Sequence, residues 1–564
     1  MFVQSSEESQ LMEYKIVTPQ TLWKDFDPYA LDLEISLISD GRSDHLFSQY
    51  RFTALEQPDG KVRVAVEVLC PLEEVSNKTI LVIGEYSKPT SRELLEDLVS
   101  NGYCVVSPDI SGVSSFKTEF PESLSFGEYW IAGDRLNRIV TTPYETNQFL
   151  YSRIIKRTIA FIEKMKPDTE LVILTLGDSS EIGMQVVGTG TEVLGLALFN
   201  GSGYREYLSI NRFGETSDLH LTEERMSWLS SAAAVAYAKN IKIPTLIAIG
   251  TNAKKTDIDR VRNLQGLFPE NKITTIFSPG AGDFLDFPAY NSFKSWLSSV
   301  FNGYPVPLRP ELKIRINEES KIYFDIDCDP SSIIDSVTVY YNSGEYNHTL
   351  RDWRKVKALS ISYNEYIASP ETYIETDPLF VFAEVKYTNG FVISSLVEHI
   401  ELKDYDVCPA EDTGRSKKIV VVYNTTEGID KFVEEHNGQV LFGEGIFMTT
   451  TLSGAKGIAS HTEGLKTYRF DTSGIEDNSK ILQIDLCSPE GIVAEVVLSC
   501  LIEKEIFEYK ANKQLKADNT LFIDYQFSIQ DFKDSNMKPL TKWSTVKALA
   551  IKGRNLVVGN ILFI

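Results

Sequence analysis

LVILTLGDSSEIGMQVVG, residues 171–188, is the stretch from which the rest of the chain is read. Its first part, LVILTLG (171–177), is an apolar run closed by glycine, the pattern of a strand buried on both faces. A helix follows, so a sharp strand-to-helix turn lies between them. Gly177-Asp178-Ser179-Ser180-Glu181 fits G-x-S-x-G except at its last position, where Glu181 replaces glycine. That motif carries a nucleophilic serine on a strained turn, with small flanking residues because the helix packs close. Ser179 is therefore the expected nucleophile position. A side chain at Glu181 crowds the turn, and its carboxylate opposes the negative charge of an oxyanion.

On either side the same alternation continues. TILVIG (79–84), YCVVSPD (103–109), VLGLALFNG (193–201), PTLIAIG (244–250) and KITTIFS (272–278) read as buried strands. Between them, Ser91–Ser100 places Leu94, Leu95 and Leu98 at helical spacing before Gly102, and Thr146–Met165 places Ile155, Ile159 and Ile162 on one face. Buried strands alternating with helices predict a doubly wound, mainly parallel α/β sheet with helices on both faces. KVRVAVEVLC (61–70) adds an antiparallel start.

The texture changes near residue 305, after the proline-rich VFNGYPVPLRPEL (300–312). SVTVYYN, LFVFAEVKY and their neighbours predict a small Ig-like β-sandwich over 305–403. After a polar joint, KILQIDLCS, IVAEVVLSCLI and LVVGNILFI predict a jelly roll over 416–564. The first domain is expected over 1–304. Trp543, Tyr468, Tyr509 and Tyr525 are read as packing residues of the jelly roll rather than sugar platforms.

A reactive serine needs a base and an acid to orient it. The acid is expected in the loop after PTLIAIG, where IGTNAKKTDIDRV puts Ala253 at the position; Asp257 and Asp259 lie further on. The base is expected in the glycine turn of FSPGAGDFLDFP, where the residue is Asp283. A carboxylate, with an ordinary pKa of about 4, is a far weaker proton acceptor than imidazole. Loss of a triad histidine costs turnover on the order of a millionfold. Of the six histidines, His220 lies in the excursion between two strands and is the candidate displaced base; His45 sits in a polar N-terminal loop, DGRSDHLF.

The formal net charge of −23 repels phosphate backbones and anionic lipid, so neither nucleic acid nor membrane is an expected partner. Acidic loops of the β domains suit calcium; no other cofactor and no structural metal is expected. Six scattered cysteines without a CxxC spacing argue against a zinc site or a disulfide framework, and those in apolar runs, such as Cys70 and Cys104, read as buried free thiols. The N-terminus shows no signal peptide, which places the chain in the cytoplasm as numbered, or outside the cell if a leader was removed.

Residues from about 18 to 300 resemble the acetyl xylan esterase, cephalosporin-C deacetylase and dienelactone hydrolase group of α/β-hydrolases. The resemblance runs through TPQTLWKDFDP (18–28), SPDISG (107–112), FPESLSFGEYWIAGDRL (120–136), YETNQFLYSRIIKRTIAFI (144–162), the turn at Ser179, WLSSAAAVAYAKNIKIPTLIAIGTN (228–252) and SPGAGD. The block from RDWRKVKALS onward (351–396) resembles the β domain that follows such hydrolases. The block with FSIQDFKDSNMKPLTKWSTVKALAIKG (527–553) resembles jelly-roll carbohydrate-binding modules. The resemblance implies an ancestor that removed acyl groups from sugars or small esters by a Ser-His-Asp mechanism. Position by position, Ser179 matches the nucleophile, Ala253 the acid, Asp283 the base, and the backbone near Tyr86 and Ser180 the oxyanion hole. The expected function is a catalytically degenerate hydrolase-like protein with a carbohydrate- or ligand-binding or scaffold role. The alternatives are an active carbohydrate acetyl esterase with a rearranged site, and a chain that borrows its base from a partner subunit.

Overall fold

Nine strands build the first sheet: β1 (Ser36–Arg42), β2 (His45–Gln57), β3 (Gly60–Pro71), β4 (Lys78–Ile83), β5 (Cys104–Pro108), β6 (Glu170–Leu176), β7 (Gly195–Phe199), β8 (Thr245–Gly250) and β9 (Ile273–Ser278). Their order is β1-β2-β3-β5-β4-β6-β7-β8-β9. The computed structural model describes residues 17–72, 77–136, 142–202, 223–254, 256–269, 273–408, 420–436, 443, 445–470, 472 and 475–564. The pairs β1/β2, β2/β3 and β3/β5 are antiparallel, and every later pair in the sheet is parallel. This is the expected parallel sheet with an antiparallel start.

The helices are α1 (Pro19–Trp23), α2 (Arg92–Ser100), α3 (Tyr129–Ala132), α4 (Asn147–Met165), α5 (Ser180–Gly188), α6 (Glu223–Ser231), α7 (Val261–Gln265) and α8 (Phe287–Asn302). Thr146 caps α4 by accepting from the Phe149 N–H, and Asp286 caps α8 by accepting from Ala289. Leu94, Leu95 and Leu98 of α2 share one core with Phe293 and Trp296 of α8. Ile155 and Ile159 of α4, Ile182 of α5 and Leu264 of α7 belong to the other. The sheet is thus covered on both faces. Gly183 lets α5 lie close on β6, since a Cβ there would meet the Thr175 methyl at 2.5 Å.

The middle region is all antiparallel. It contains β10 (Glu311–Ile316), β11 (Ile322–Asp327), β12 (Ile334–Ser343), β13 (Arg354–Lys357), β14 (Leu359–Ser360), β15 (Glu365–Ala368), β16 (Pro378–Tyr387), β17 (Val392–Ser394) and β18 (Glu398–Glu401). They form sheets β10-β11-β15-β14 and β13-β12-β16-β17, with β18 also paired to β16. The last region holds β19 (Val420–Tyr423), β20 (Val433–Glu435), β21 (Ile446–Thr450), β22 (Lys456–Ser460), β23 (Gly464–Thr467), β24 (Leu482–Ser488), β25 (Val493–Ile502), β26 (Glu505–Gln514), β27 (Asp518–Phe527), β28 (Val546–Lys552) and β29 (Val557–Phe563). Its sheets run β21-β22-β29-β24-β27, with β19 on β29, and β20-β23-β28-β25-β26. Its core is separate from the rest and contains Trp543, fully buried, with the indole N–H donating to the Lys480 carbonyl at 3.0 Å. Tyr509 and Tyr525 are buried too.

Three sequence expectations change. Cys70 and Cys104, on the paired strands β3 and β5, form a disulfide rather than two free thiols, because the register sets them opposite each other across the sheet. His45 is not in a loop; it opens β2, is buried, and has Nε2 2.8 Å from the Arg92 guanidinium. The break near residue 305 separates strand textures but not cores: Trp353, Phe380 and Phe382 of the middle region pack in one cluster with the first sheet, and Phe324, Val339 and Val381 in the other. Among the described residues no helix is long and apolar enough to cross a membrane.

The seam between sheet and sandwich is polar as well as apolar. Thr275 of β9 donates to the Ser394 carbonyl at 2.5 Å, and the Phe277 N–H donates to Ser394 Oγ at 3.0 Å. Ser292 of α8 donates to the Val392 carbonyl and accepts from the Val392 N–H, each at 2.9 Å. Glu384 of β16 lies opposite Ser394 in the ladder. Burial, with the charge of Asp286 adding, pushes its carboxyl from 4.5 up to about 8. A carboxyl raised in this way binds its proton more tightly in the folded chain, so its contribution is complete below about pH 4.5 and is lost as pH rises toward about 8. Glu384→Gln is expected to remove that slope. The variant should melt above the wild type at pH 8 and level with it at pH 4 in thermal scans. Parallel melting curves across the range would refute the assignment.

Candidate functional site

β6 ends at Leu176 and α5 starts at Ser180. The chain turns on Gly177, whose φ of +56° is in the left-handed region that favours glycine. A Cβ there would also lie 3.1 Å from the Glu85 carboxyl carbon. Ser179, two residues on, is right-handed, with φ −67° and ψ −7°. The strained tip of the turn is thus a glycine, and the serine that fits the motif belongs to the first helical turn.

Ser179 is fully buried. Its hydroxyl accepts from the Leu176 N–H at 2.9 Å and lies 2.9 Å from the Ile83 and Leu176 carbonyls, one of which takes its proton. All three partners are backbone; among the described residues no imidazole or carboxylate hydrogen-bonds it. Ser180 is equally buried, with Oγ 3.2 Å from Thr175 Oγ1. Gly201, just past β7, presses on the same turn: a Cβ there would sit 1.8 Å from Ser180 Oγ and 2.3 Å from the Gly177 carbonyl.

Oxyanion donors in such a turn are the N–H after the tip and an N–H from the loop joining an adjacent strand to its helix. That loop here follows β4 and contains Tyr86. The Tyr86 N–H donates to Asp178 Oδ1 at 3.1 Å. Its carbonyl accepts from Ser111 Oγ at 2.8 Å, and its ring packs on Tyr151. A carboxylate therefore sits where an oxyanion would be held. Two more are buried nearby: Glu85, 3.1 Å from Lys88 Nζ, and Glu181, 3.5 Å from Gln148 Nε2.

The loop after β8 carries Ala253, fully buried, whose carbonyl meets His348 Nε2 at 2.9 Å. His348 Nδ1 lies 3.7 Å from Asp257. Asn252 donates to the Arg351 carbonyl at 2.9 Å. The Arg351 guanidinium grips Asp259 through two bonds, of 2.8 and 2.6 Å, and stacks on Phe380 at 3.6 Å. Both ends of that ion pair are out of water. Nothing in the local sequence pointed to His348 or Arg351, which come from the middle sandwich about a hundred residues away.

The loop after β9 carries Asp283. It is covered by the last region: a Cβ on Gly280 would meet Val433 at 2.5 Å, the Gly443 N–H donates to the Leu285 carbonyl at 2.8 Å, and Phe284 packs edge-on to His436 at 4.4 Å. Burial raises the Tyr468 hydroxyl pKa against the opposing charge of Lys466, and the negative charges of Glu435 and Asp283 add to the rise. Lys254 pairs with Glu508 across the same boundary. His220 lies outside the described residues. Among the described residues no group of three or more His, Cys, Asp or Glu is arranged to hold a metal ion.

No protein-family model and no curated protein matches the chain. Solved structures do. Acetyl xylan esterase 1 from Thermoanaerobacterium sp. JW/SL YS485 aligns at 12% identity and a TM-score of 0.37, covering 48% of this chain and 89% of that one. The acetyl xylan esterase from Paenibacillus sp. R4 aligns at 13% and 0.37, covering 51% and 92%. A glucuronoyl esterase from Solibacter usitatus aligns at 7% and 0.32, covering 51% and 94%.

Two stability outcomes follow from this geometry. Ser179→Ala strands the Leu176 N–H and should cost about 1–2 kcal/mol, read by denaturant unfolding; an unchanged midpoint would show that the hydroxyl is not structural. Arg351→Met leaves Asp259 buried without its partner and should cost about 3–5 kcal/mol, whereas replacing both residues with apolar ones of similar size should cost far less. Equal losses in the single and double variants would refute the pairing.

Proposed function

We propose that the chain is an α/β-hydrolase-like scaffold without a working Ser-His-Asp centre, and that its role is binding. The ligand class is carbohydrate or a small acylated compound. The observation that carries the first half is the Ser179 hydroxyl, buried and held by three backbone groups. A nucleophile must reach its substrate and have a base within hydrogen-bond distance, and among the described residues Ser179 meets neither condition. The Asp178 carboxylate on the Tyr86 N–H supports the same reading, because it sets negative charge where catalysis would need to stabilise it. The loops at the acid and base positions serve instead as mounts for the two sandwiches. The resemblance of the last region to carbohydrate-binding modules supports sugar as the ligand. The Cys70–Cys104 disulfide supports an oxidising compartment.

A fluorophosphonate probe is expected to leave Ser179 unlabelled, and hydrolysis of p-nitrophenyl acetate is expected to match that of Ser179→Ala. Stoichiometric labelling, with turnover abolished in Ser179→Ala, would establish an active esterase instead. Titration calorimetry with acetylated xylo-oligosaccharides tests the ligand class separately: saturable heats unchanged by Ser179→Ala support it, and none at all removes this sugar class.

A further inference from the structure

Away from the β6–α5 turn, α4 carries two cations that form no ion pair among the described residues. Arg153 and Lys156 are one helical turn apart on the side of α4 that meets α1. The Arg153 guanidinium lies 4.6 Å from the centroid of the Phe149 ring, and Lys156 Nζ lies 5.2 Å from the Trp23 ring. Those two rings meet edge to face at 5.1 Å, so the cations rest on adjoining aromatic faces. Both side chains are half-buried. Lys156 donates to Thr191 Oγ1 at 3.1 Å, while Arg153 Nε is buried with no acceptor among the described residues.

Several other buried cations are treated differently, although Arg309, half-buried too, also forms no ion pair among the described residues. Arg351 is matched to Asp259, and Lys466 to Glu435. Arg51 and Arg135, which also bury Nε, pair with Glu119 and Glu145. Arg157 donates to the carbonyls of Pro28, Leu31 and Thr53. Carboxylates are not scarce: 79 acidic residues stand against 56 basic ones. No carboxylate forms an ion pair with Arg153 or Lys156 among the described residues, and burial pushes both cations down, Lys156 to about 8. A ring face recovers only part of what a buried cation loses on leaving water. A planar guanidinium and an ammonium one helical turn apart are donors suited to a tetrahedral oxyanion, while the Thr191 hydroxyl only steadies Lys156, accepting from it and giving its own proton to the Val186 carbonyl at 2.7 Å.

We propose that Arg153 and Lys156, seated on the Trp23–Phe149 ring pair beside Thr191, form a binding site for a phosphate group, free or carried on a sugar. The site is independent of the β6–α5 turn and of whether that turn is catalytic.

The full-length chain is titrated with inorganic phosphate and, separately, with glucose 6-phosphate, against sodium chloride at matched ionic strength. Thermal melting is one readout. The other is acetylation of Lys156 by an N-hydroxysuccinimide ester, followed by mass spectrometry with exposed lysines as internal references. Phosphate is expected to raise the melting temperature progressively with concentration and to protect Lys156 selectively. Tighter binding of the sugar phosphate would identify the carried group as the source, and equal binding the free ion. Arg153→Gln with Lys156→Gln should bind at least tenfold more weakly while melting no lower than wild type in phosphate-free buffer, since two uncompensated charges are gone. A phosphate response no larger than that of chloride, or one retained in the double variant, overturns the proposal. So does unchanged Lys156 labelling, which is read on the wild type and does not depend on the variant folding.

Discussion

The last parallel strand of a sheet must be covered, because its outer N–H and C=O groups invite another chain. In this protein β9 is that strand, and β17 covers it. The contact is not a continued ladder. Ser394 and Thr275 bridge side chain to backbone, and Ser292 repeats the arrangement from α8 to Val392. Side-chain bridges satisfy the edge while leaving the two sheets at their own angles, so the middle sandwich is bolted on without becoming part of the first sheet. Apolar packing then closes over the bolt, and Phe277 meets Phe382 edge to face at 5.5 Å.

Everything at the carboxyl end of the first sheet follows from that placement. With β17 set against β9, the segment before β13 reaches the loop after β8, and Arg351 and His348 fill it. The last region is anchored in turn to the middle one, through Arg469 on Asp352 at 2.7 Å, and it lies over the loop after β9. Loops at this end of a doubly wound sheet are where ligands ordinarily bind. Two of them are instead packed under sandwiches, and their polar groups are spent on interfaces.

The alternation of buried strands and helices was legible because both periods are local. What sequence could not deliver was long-range. Cys70 and Cys104 are 34 residues apart, and only the register of β3 on β5 shows that they meet. His348 and Arg351 sit in a segment with no metal or triad spacing, and their roles exist only once β17 has docked. The turn itself was misjudged for a subtler reason. A motif match selects by residue type, and GDSS offers a serine at the matching place. The backbone selects by φ, and the left-handed site falls on the glycine that directly ends the strand. The same glycine was visible in the sequence as the boundary of the apolar run.

A polar group reserved for a substrate is one that the fold declines to satisfy. By that measure the β6–α5 turn is closed. The Ser179 hydroxyl has its donor and its acceptors, the Tyr86 N–H has Asp178, the Ala253 carbonyl has His348, and Asn252 has the Arg351 carbonyl. Each bond stabilises the native state, and each would have to break before the group could do chemistry. On the reading proposed above, mutation of Ala253 or Asp283 toward the residues of a triad would not create one, because the Ser179 hydroxyl would still be bonded to the backbone. The aromatic shelf of α4 is the opposite case: there two charges are half-buried, and among the described residues Arg153 Nε has no acceptor.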